Sequence, residues 1–213
     1  MNDLKILLDK NREWAAKIKA EDSEFFQTLA KQQNPTYLWI GCSDSRVPAT
    51  QLVGLRAGEL FVHRNVANVV VHTDFNCLSV LQYAVEVLGV SHIIVCGHYE
   101  CGGVKAALKN LQMGLIDNWL RHVQDVVNKY DQHLAAIEDE HKKLDVLCEL
   151  NVIEQVQSVG RTTIVQNAWG RGQELAIHAW IYGISDGLLR ELGLSITNQD
   201  DLSAAGKRYG RYN

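Results

Sequence analysis

His92-Ile93-Ile94-Val95-Cys96-Gly97 is β-branched, nearly all apolar and closed by a glycine. Such a run reads as a strand buried on both faces. Working outward, Tyr37-Leu38-Trp39-Ile40-Gly41-Cys42 is a second apolar run bounded by turn residues, and Leu60-Phe61-Val62 after Gly58 is a third. Ala176-Ile177-His178-Ala179-Trp180-Ile181-Tyr182 reads as the last strand, ended by Gly183 and the Asp186-Gly187 turn. Helical patterns lie between these runs. In residues 3–31, Leu4, Leu7, Leu8, Trp14 and Ile18 recur near helical spacing. In residues 74–88, Leu78, Leu81, Val85 and Leu88 repeat at three and four between a capping Asp74 and Gly89. Residues 119–134, 143–158 and 161–171 are helical by period, and Gly102-Gly103 opens a further helix.

Strands apolar on both faces that alternate with helices predict an α/β fold. Its centre is a mostly parallel β-sheet flanked by helices, with an N-terminal helical arm. No repeat, linker or low-complexity stretch divides the chain. The expectation is one domain over 1–213, with an arm over 1–35 and, over 36–213, an α/β core and a C-terminal helical region.

Composition excludes several classes. The chain has 213 residues, 46% hydrophobic and 22% charged, which suits a globular domain with a sizeable core. A net charge of -4 implies no nucleic-acid partner. No apolar run reaches the roughly 18 residues of a membrane span. Asp9, Lys10 and Arg12 interrupt any secretory h-region near the start, so the expected location is cytoplasmic. Five cysteines are odd in number and too sparse for a disulfide framework. In a reducing compartment they are core residues, metal ligands or catalysts.

Two segments carry chemistry. Cys42-Ser43-Asp44-Ser45-Arg46 follows one buried strand, and His98-Tyr99-Glu100-Cys101-Gly102-Gly103 follows another. In open α/β sheets the carboxyl ends of the strands host the ligand, where strand order reverses. If the two strands are neighbours, these side chains converge. Two thiolates and an imidazole form a soft S/N set that suits zinc, and Asp44 is a natural fourth group. His98 and Cys101 lie three apart, within one turn, and Gly102 and Gly103 let the backbone approach the metal. Cys77, Cys96 and Cys148 lack partners and read as core. His63, His72, His122, His133, His141 and His178 read as ordinary surface or core histidines. A closed structural zinc site is the rival to a catalytic one. Arg46 favours catalysis, because it could pair bidentately with Asp44, hold it off the metal and leave a position for water.

Cys42-Ser-Asp-Ser-Arg-Val-Pro, His63-Arg-Asn-Val-Ala-Asn and Gly97-His98-x-x-Cys101-Gly-Gly occur here in order. With these motifs the chain resembles the β-class carbonic anhydrases, and most of all the bacterial, bicarbonate-regulated type. The resemblance implies one zinc ion per subunit on Cys42, His98 and Cys101. Asp44 would be a fourth ligand in an inactive form and the partner of Arg46 in the active one. It implies reversible hydration of carbon dioxide to bicarbonate and a proton, by attack of zinc-bound hydroxide on CO2. It further implies a CO2 pocket lined by Gln33, Phe61, Val66, Tyr83 and Gly102, partly from a neighbouring subunit, so that a homodimer, and from it a dimer of dimers, is expected. An allosteric bicarbonate site would use Trp39, Arg64 and Tyr182. Two other readings stay open: the same zinc fold hydrolysing a CO2 analogue such as carbon disulfide, and a non-enzymatic zinc module. A redox role is disfavoured by the lack of a Cys-x-x-Cys pair, and a dinucleotide site by the lack of Gly-x-Gly-x-x-Gly after a strand.

Overall fold

The computed structural model describes residues 3–31, 33–44 and 46–210. It divides into two compact units, 1–34 and 35–213. The first holds α1 (Asp3–Glu21) and α2 (Phe25–Lys31), joined by an edge-on ring contact of Trp14 with Phe26 at 5.6 Å. Leu4, Leu7, Leu8 and Trp14 are exposed on α1.

The second unit runs β1 (Tyr37–Cys42), α3 (Ala49–Leu52), β2 (Leu60–Asn65), α4 (Phe75–Gln82), β3 (His92–His98), α5 (Gly102–Leu108), α6 (Ile116–Lys129), α7 (Asp131–Ala135), α8 (Glu140–Arg161), α9 (Thr163–Gly170), β4 (Ala176–Tyr182), β5 (Leu189–Ile196) and α10 (Gln199–Tyr209). The strands form one sheet in the order β2-β1-β3-β4-β5. The first four are parallel and β5 runs antiparallel to β4. The chain leaves β1 for β2 on one side, then returns to β3 on the other. Strand order therefore reverses between β1 and β3, the place where an open α/β sheet forms its crevice.

The C-terminal region corrects the sequence reading. The 176–182 strand is not the last, and the chain beyond it is not only helical. Leu189, Leu192, Leu194 and Ile196 keep apolar contacts to the core, while Arg190 and Glu191 are exposed. A half-exposed edge strand lacks the continuous apolar run that marks the buried ones. Helix α10, capped by Asn198 accepting from the Asp201 N–H, then packs Leu202, Ala205 and Tyr209 into the core. The pattern over 119–134 breaks at Tyr130 into α6 and α7.

One sheet face presents Leu38, Ile40, Ile93, Val95, Ile177, Ala179 and Ile196 to α4, α8, α9 and α10. Each aliphatic side chain fully buried there contributes about 1.5–3 kcal/mol. The other face bears Trp39, Ile94, Cys96, Trp180 and Tyr182, with Ala49, Leu52, Val53 and Leu55 packed on it. Helix termini are satisfied locally: Asp74 caps α4, Asp139 caps α8 and Thr162 caps α9. Among the described residues no helix is long and apolar enough to cross a membrane.

Candidate metal centre

β1 and β3 are hydrogen-bonded neighbours, with Gly41 beside Cys96. Their carboxyl ends bring Cys42 and His98 together, and the turn into α5 adds Cys101. The three ligand atoms lie within 4.8 Å of one another, and all three residues are buried. The two sulfurs are 3.8 Å apart. Two sulfurs bound to one tetrahedral zinc at about 2.3 Å stand about 3.8 Å apart, so the pair already has that spacing.

His98 is oriented as a ligand. Its Nδ1 lies 3.0 Å from the Tyr99 carbonyl oxygen, which can only accept, so Nδ1 carries the proton. Nε2 then has a free lone pair, and it is buried with no hydrogen-bond partner. A buried polar atom left without a partner is costly. A metal ion answers that cost, and a backbone carbonyl on the far nitrogen is the usual support for a metal-bound histidine. The donor set therefore fits zinc.

The thiols divide their protons unequally. Cys42 is drawn down to about 4, first by a hydrogen bond from Cys101, then, against the opposing effect of burial, by the backbone N–H groups of Asp44 and Ala67. Cys101 is pushed up, by the same bond to Cys42 and by burial. One proton is shared by the pair. Cys77, Cys96 and Cys148 are also buried free thiols. Burial pushes Cys77 and Cys148 up to about 12 and raises Cys96, so these three remain inert.

Asp44 does not join the three. Arg46 holds it through Nε to Oδ1 at 3.2 Å and Nη2 to Oδ2 at 3.3 Å. The pair raises the Arg46 guanidinium above its usual value. The Asp44 backbone N–H stays on Cys42 Sγ at 3.4 Å, so the residue is anchored beside the cluster while its carboxylate is held by Arg46. Arg46 has φ 59, in the left-handed region, which costs a side-chain-bearing residue roughly 1–2 kcal/mol. Ser45, between them, lies outside the described residues.

Trp39, Arg64 and Tyr182 share one sheet face near the same end. Gly41 pairs with Arg64 on one side and Cys96 on the other, and Cys96 pairs with Trp180. Trp39 lies two residues before that row and Tyr182 two after it, as the period of 2 requires for one face. A Cβ on Gly41 would stand 2.6 Å from Trp39 Nε1, so glycine there makes room for the indole. Arg64 donates through Nε to the Cys42 carbonyl at 3.0 Å and through Nη2 to the Val47 carbonyl at 3.5 Å. It thus braces both ends of the Asp44–Arg46 loop. The Tyr182 ring lies 5.9 Å from that of His98.

The residues expected to line a CO2 pocket are not all brought together within the second unit. Val66 packs by Gly103, where a Cβ would stand 2.9 Å from its Cγ1, and Gly102 opens onto free space. Phe61 and Tyr83 pair at 5.9 Å. Phe61 sits four residues before Asn65 on β2, and Asn65 is beside Cys42. At about 3.3 Å per residue that separation is about 13 Å, so Phe61 does not reach its own chain's metal end. Gln33 is exposed and belongs to the first unit.

A second triplet, His63, Asp74 and Cys77, also has ligand atoms within 4.8 Å of one another. Its groups are otherwise engaged. Asp74 accepts from the Asn76 N–H, His63 Nε2 lies 3.2 Å from Asn65 Nδ2, and the Cys77 thiol is held protonated by burial. Sequence patterns missed the groups that support the ligands. These are the Tyr99 carbonyl and the Ala67 N–H, which donates to Cys42 Sγ at 3.3 Å. Both are backbone atoms, which no residue type signals.

Known proteins are similar to this chain in sequence and fold. The carbonic anhydrase family model matches residues 37–189. A carbonic anhydrase of Emericella nidulans is 48% identical over 188 residues, 88% of this chain and 82% of its own length. The β-carbonic anhydrase of Coccomyxa, solved in complex with acetazolamide, is similar at TM-score 0.89 and 42% identity, over 96% of this chain and 92% of that one. A β-carbonic anhydrase from Sordaria macrospora, one of two described as tetrameric, is similar at TM-score 0.86 and 37% identity, over 92% of this chain and 100% of that one.

Proposed function

The chain belongs to the β-class carbonic anhydrases, enzymes that hydrate carbon dioxide, and from that premise we propose that it does so at a zinc ion held by Cys42, His98 and Cys101. One observation carries the assignment of the site: three buried donor atoms lie within 4.8 Å, and His98 Nε2 has no other partner. Zinc, when bound, supplies Lewis acidity that lowers the pKa of water from 15.7 towards about 7, a figure that belongs to the unrelated three-histidine carbonic anhydrases.

The chain's own residues do the rest. Arg46 keeps the Asp44 carboxylate off the metal and so leaves a position for water. Each Asp44 oxygen retains accepting capacity beyond its contact with Arg46, so Asp44 orients the attacking water by accepting its hydrogen bond. The burial of Cys42, His98 and Cys101 limits competing water. The proton leaves towards solvent past Asp44, which is half exposed.

Bicarbonate regulates the same site from the other side of β1. An anion drawn to Arg64, with the Trp39 and Tyr182 donors beside it, competes with the Cys42 and Val47 carbonyls for the guanidinium. Loss of that brace would free the loop and part the Asp44–Arg46 pair, and Asp44 would then be available as a fourth ligand to a bound zinc. The CO2 pocket is completed by a second copy of the chain, as a homodimer that pairs again. The exposed apolar side chains of α1 and the exposed Phe75 and Val87 support association, and so does the distance of Phe61 from its own metal end.

Stopped-flow CO2 hydration tests the assignment on protein as prepared, stripped by a chelator, and reloaded with zinc. Activity lost on stripping and restored by zinc is expected. Absence of activity in the zinc-loaded protein would refute it.

A further inference from the structure

Cys42 Sγ accepts two backbone N–H groups. That of Asp44 comes from the same loop, whereas that of Ala67 comes from 25 residues away. The second bond requires an unusual turn. Ala67 has φ 65 and ψ 25, and Asn68 follows at φ 47. Two successive left-handed residues that are not glycine persist only where the surroundings over-determine them.

The surroundings do so. Trp119 Nε1 donates to the Val66 carbonyl at 2.8 Å. The Asn65 side chain both donates to and accepts from Val69, at 2.7 and 2.8 Å. From α8, Asn151 Nδ2 donates to the Ala67 carbonyl at 2.9 Å, and Gln155 Oε1 accepts the Val70 N–H at 2.8 Å. Gln155 Nε2 donates to Asn151 Oδ1 at 3.0 Å, which joins the two amides into one directed chain. Both are buried. Two amides in such a place cost free energy unless every group is used. Here each makes one bond to the turn and one to the other.

We propose that Asn151 and Gln155 are positioning residues for the metal: by fixing the Val66–Val70 turn they aim the Ala67 N–H at Cys42 Sγ and temper that thiolate's donation to zinc. An N–H aimed at a thiolate withdraws electron density from sulfur. Two thiolates donate more charge to zinc than neutral imidazoles, which weakens its pull on water, and the Ala67 N–H offsets part of that donation. The inference rests on the zinc reading of the same site. It adds a group of partners, on a helix 109 residues beyond Cys42 at Asn151, that sets the ligand strength.

Cobalt(II) in place of zinc gives a sulfur-to-metal charge-transfer band that reports thiolate donation directly. The band should move to longer wavelength in Asn151→Leu and in Gln155→Leu. The second variant carries the test if the first does not fold. Gln157→Leu is the control: Gln157 is equally buried on α8, but bonds to Ile153 and Glu154 and not to the turn. Its band should stay at the wild-type position. Bands of Asn151→Leu and Gln155→Leu at the wild-type position, or a Gln157→Leu band displaced as far as theirs, would overturn the proposal. Wild-type protein that takes up no cobalt would overturn the zinc reading itself, and this proposal with it.

Discussion

Arg46 grips both carboxylate oxygens of Asp44, at 3.2 and 3.3 Å, from a residue in the left-handed region. The grip matters less for stability than for occupancy, because both side chains are about half exposed and such pairs contribute little to folding. On the proposed function its role is to keep the carboxylate from the metal. Arg46→Ala should therefore lower kcat/KM for CO2 hydration by about 10- to 100-fold. Arg46→Lys should recover only part of this, since an ammonium cannot take both oxygens in a fixed fork. Stopped-flow rates decide it, and an undiminished rate in Arg46→Ala would sink the gating role.

Zinc binding to metal-free protein at pH 7 should release about one proton per site. Cys42, drawn down to about 4, is already a thiolate, whereas Cys101 is pushed up and holds the shared proton. Calorimetric titration with zinc in buffers of different ionisation enthalpy counts the protons. A count of two would mean that the pair does not share a proton in the way the 3.8 Å contact implies.

Tyr182→Phe removes one donor while keeping the ring, and Trp39→Phe removes the indole N–H while keeping a smaller aromatic ring. Inhibition by added bicarbonate should weaken in both variants, with the basal hydration rate little changed. Arg64 is the poorer probe, because it also braces the Cys42 and Val47 carbonyls. Identical inhibition curves for wild type and both variants would remove the Trp39–Tyr182 site from the mechanism.

Gly97 leaves no room for a side chain. A Cβ there would meet Val152 Cγ2 at 2.5 Å. Gly97→Ala should destabilise the fold by about 1–3 kcal/mol in urea denaturation and loosen zinc retention through the adjacent His98. Adding Val152→Ala should restore part of the stability. A double variant no better than Gly97→Ala would place the strain elsewhere.

Stability should fall on acidification below about pH 6.5. Burial lowers His63 against the opposing influence of Asp74, and burial together with His92 lowers His178 despite Glu191. Both are neutral when folded, while the unfolded chain takes up protons near 6.5. Their contribution is thus complete above 6.5 and is lost as pH falls towards the depressed folded values. Thermal melts at pH 7.5 and 5.5 should differ less in His178→Gln than in wild type. An equal difference would exclude His178 as a source.

Particular elements show what was legible before any coordinates. β1 and β3 announce themselves because nearly every position is buried and most residues are apolar or small, and β4 because its run stays largely apolar although alternate positions are only partly buried. β5 does not, because it is an edge strand with Arg190 and Glu191 facing out, and its apolar contacts come from strand pairing with β4 rather than from a continuous run. The break at Tyr130 was invisible for a similar reason. The fully buried ring, its hydroxyl on Glu154 at 2.6 Å, belongs to a tertiary contact and not to a helical period.

By itself the sequence determined the chemistry available: two thiols, an imidazole, a carboxylate and a guanidinium on two loops, each following a buried strand. Those are properties of residue type and local pattern. The tertiary structure decided which of them meet and in what state. It set β1 beside β3 at the reversal of strand order, spaced the sulfurs at 3.8 Å, turned His98 Nε2 inward, put Asp44 on Arg46 and brought the Ala67 N–H to Cys42. Apart from the Asp44–Arg46 pair, which the residue types already allow, each depends on backbone atoms or on partners placed by the fold, so no reading of residue types along the chain contains it.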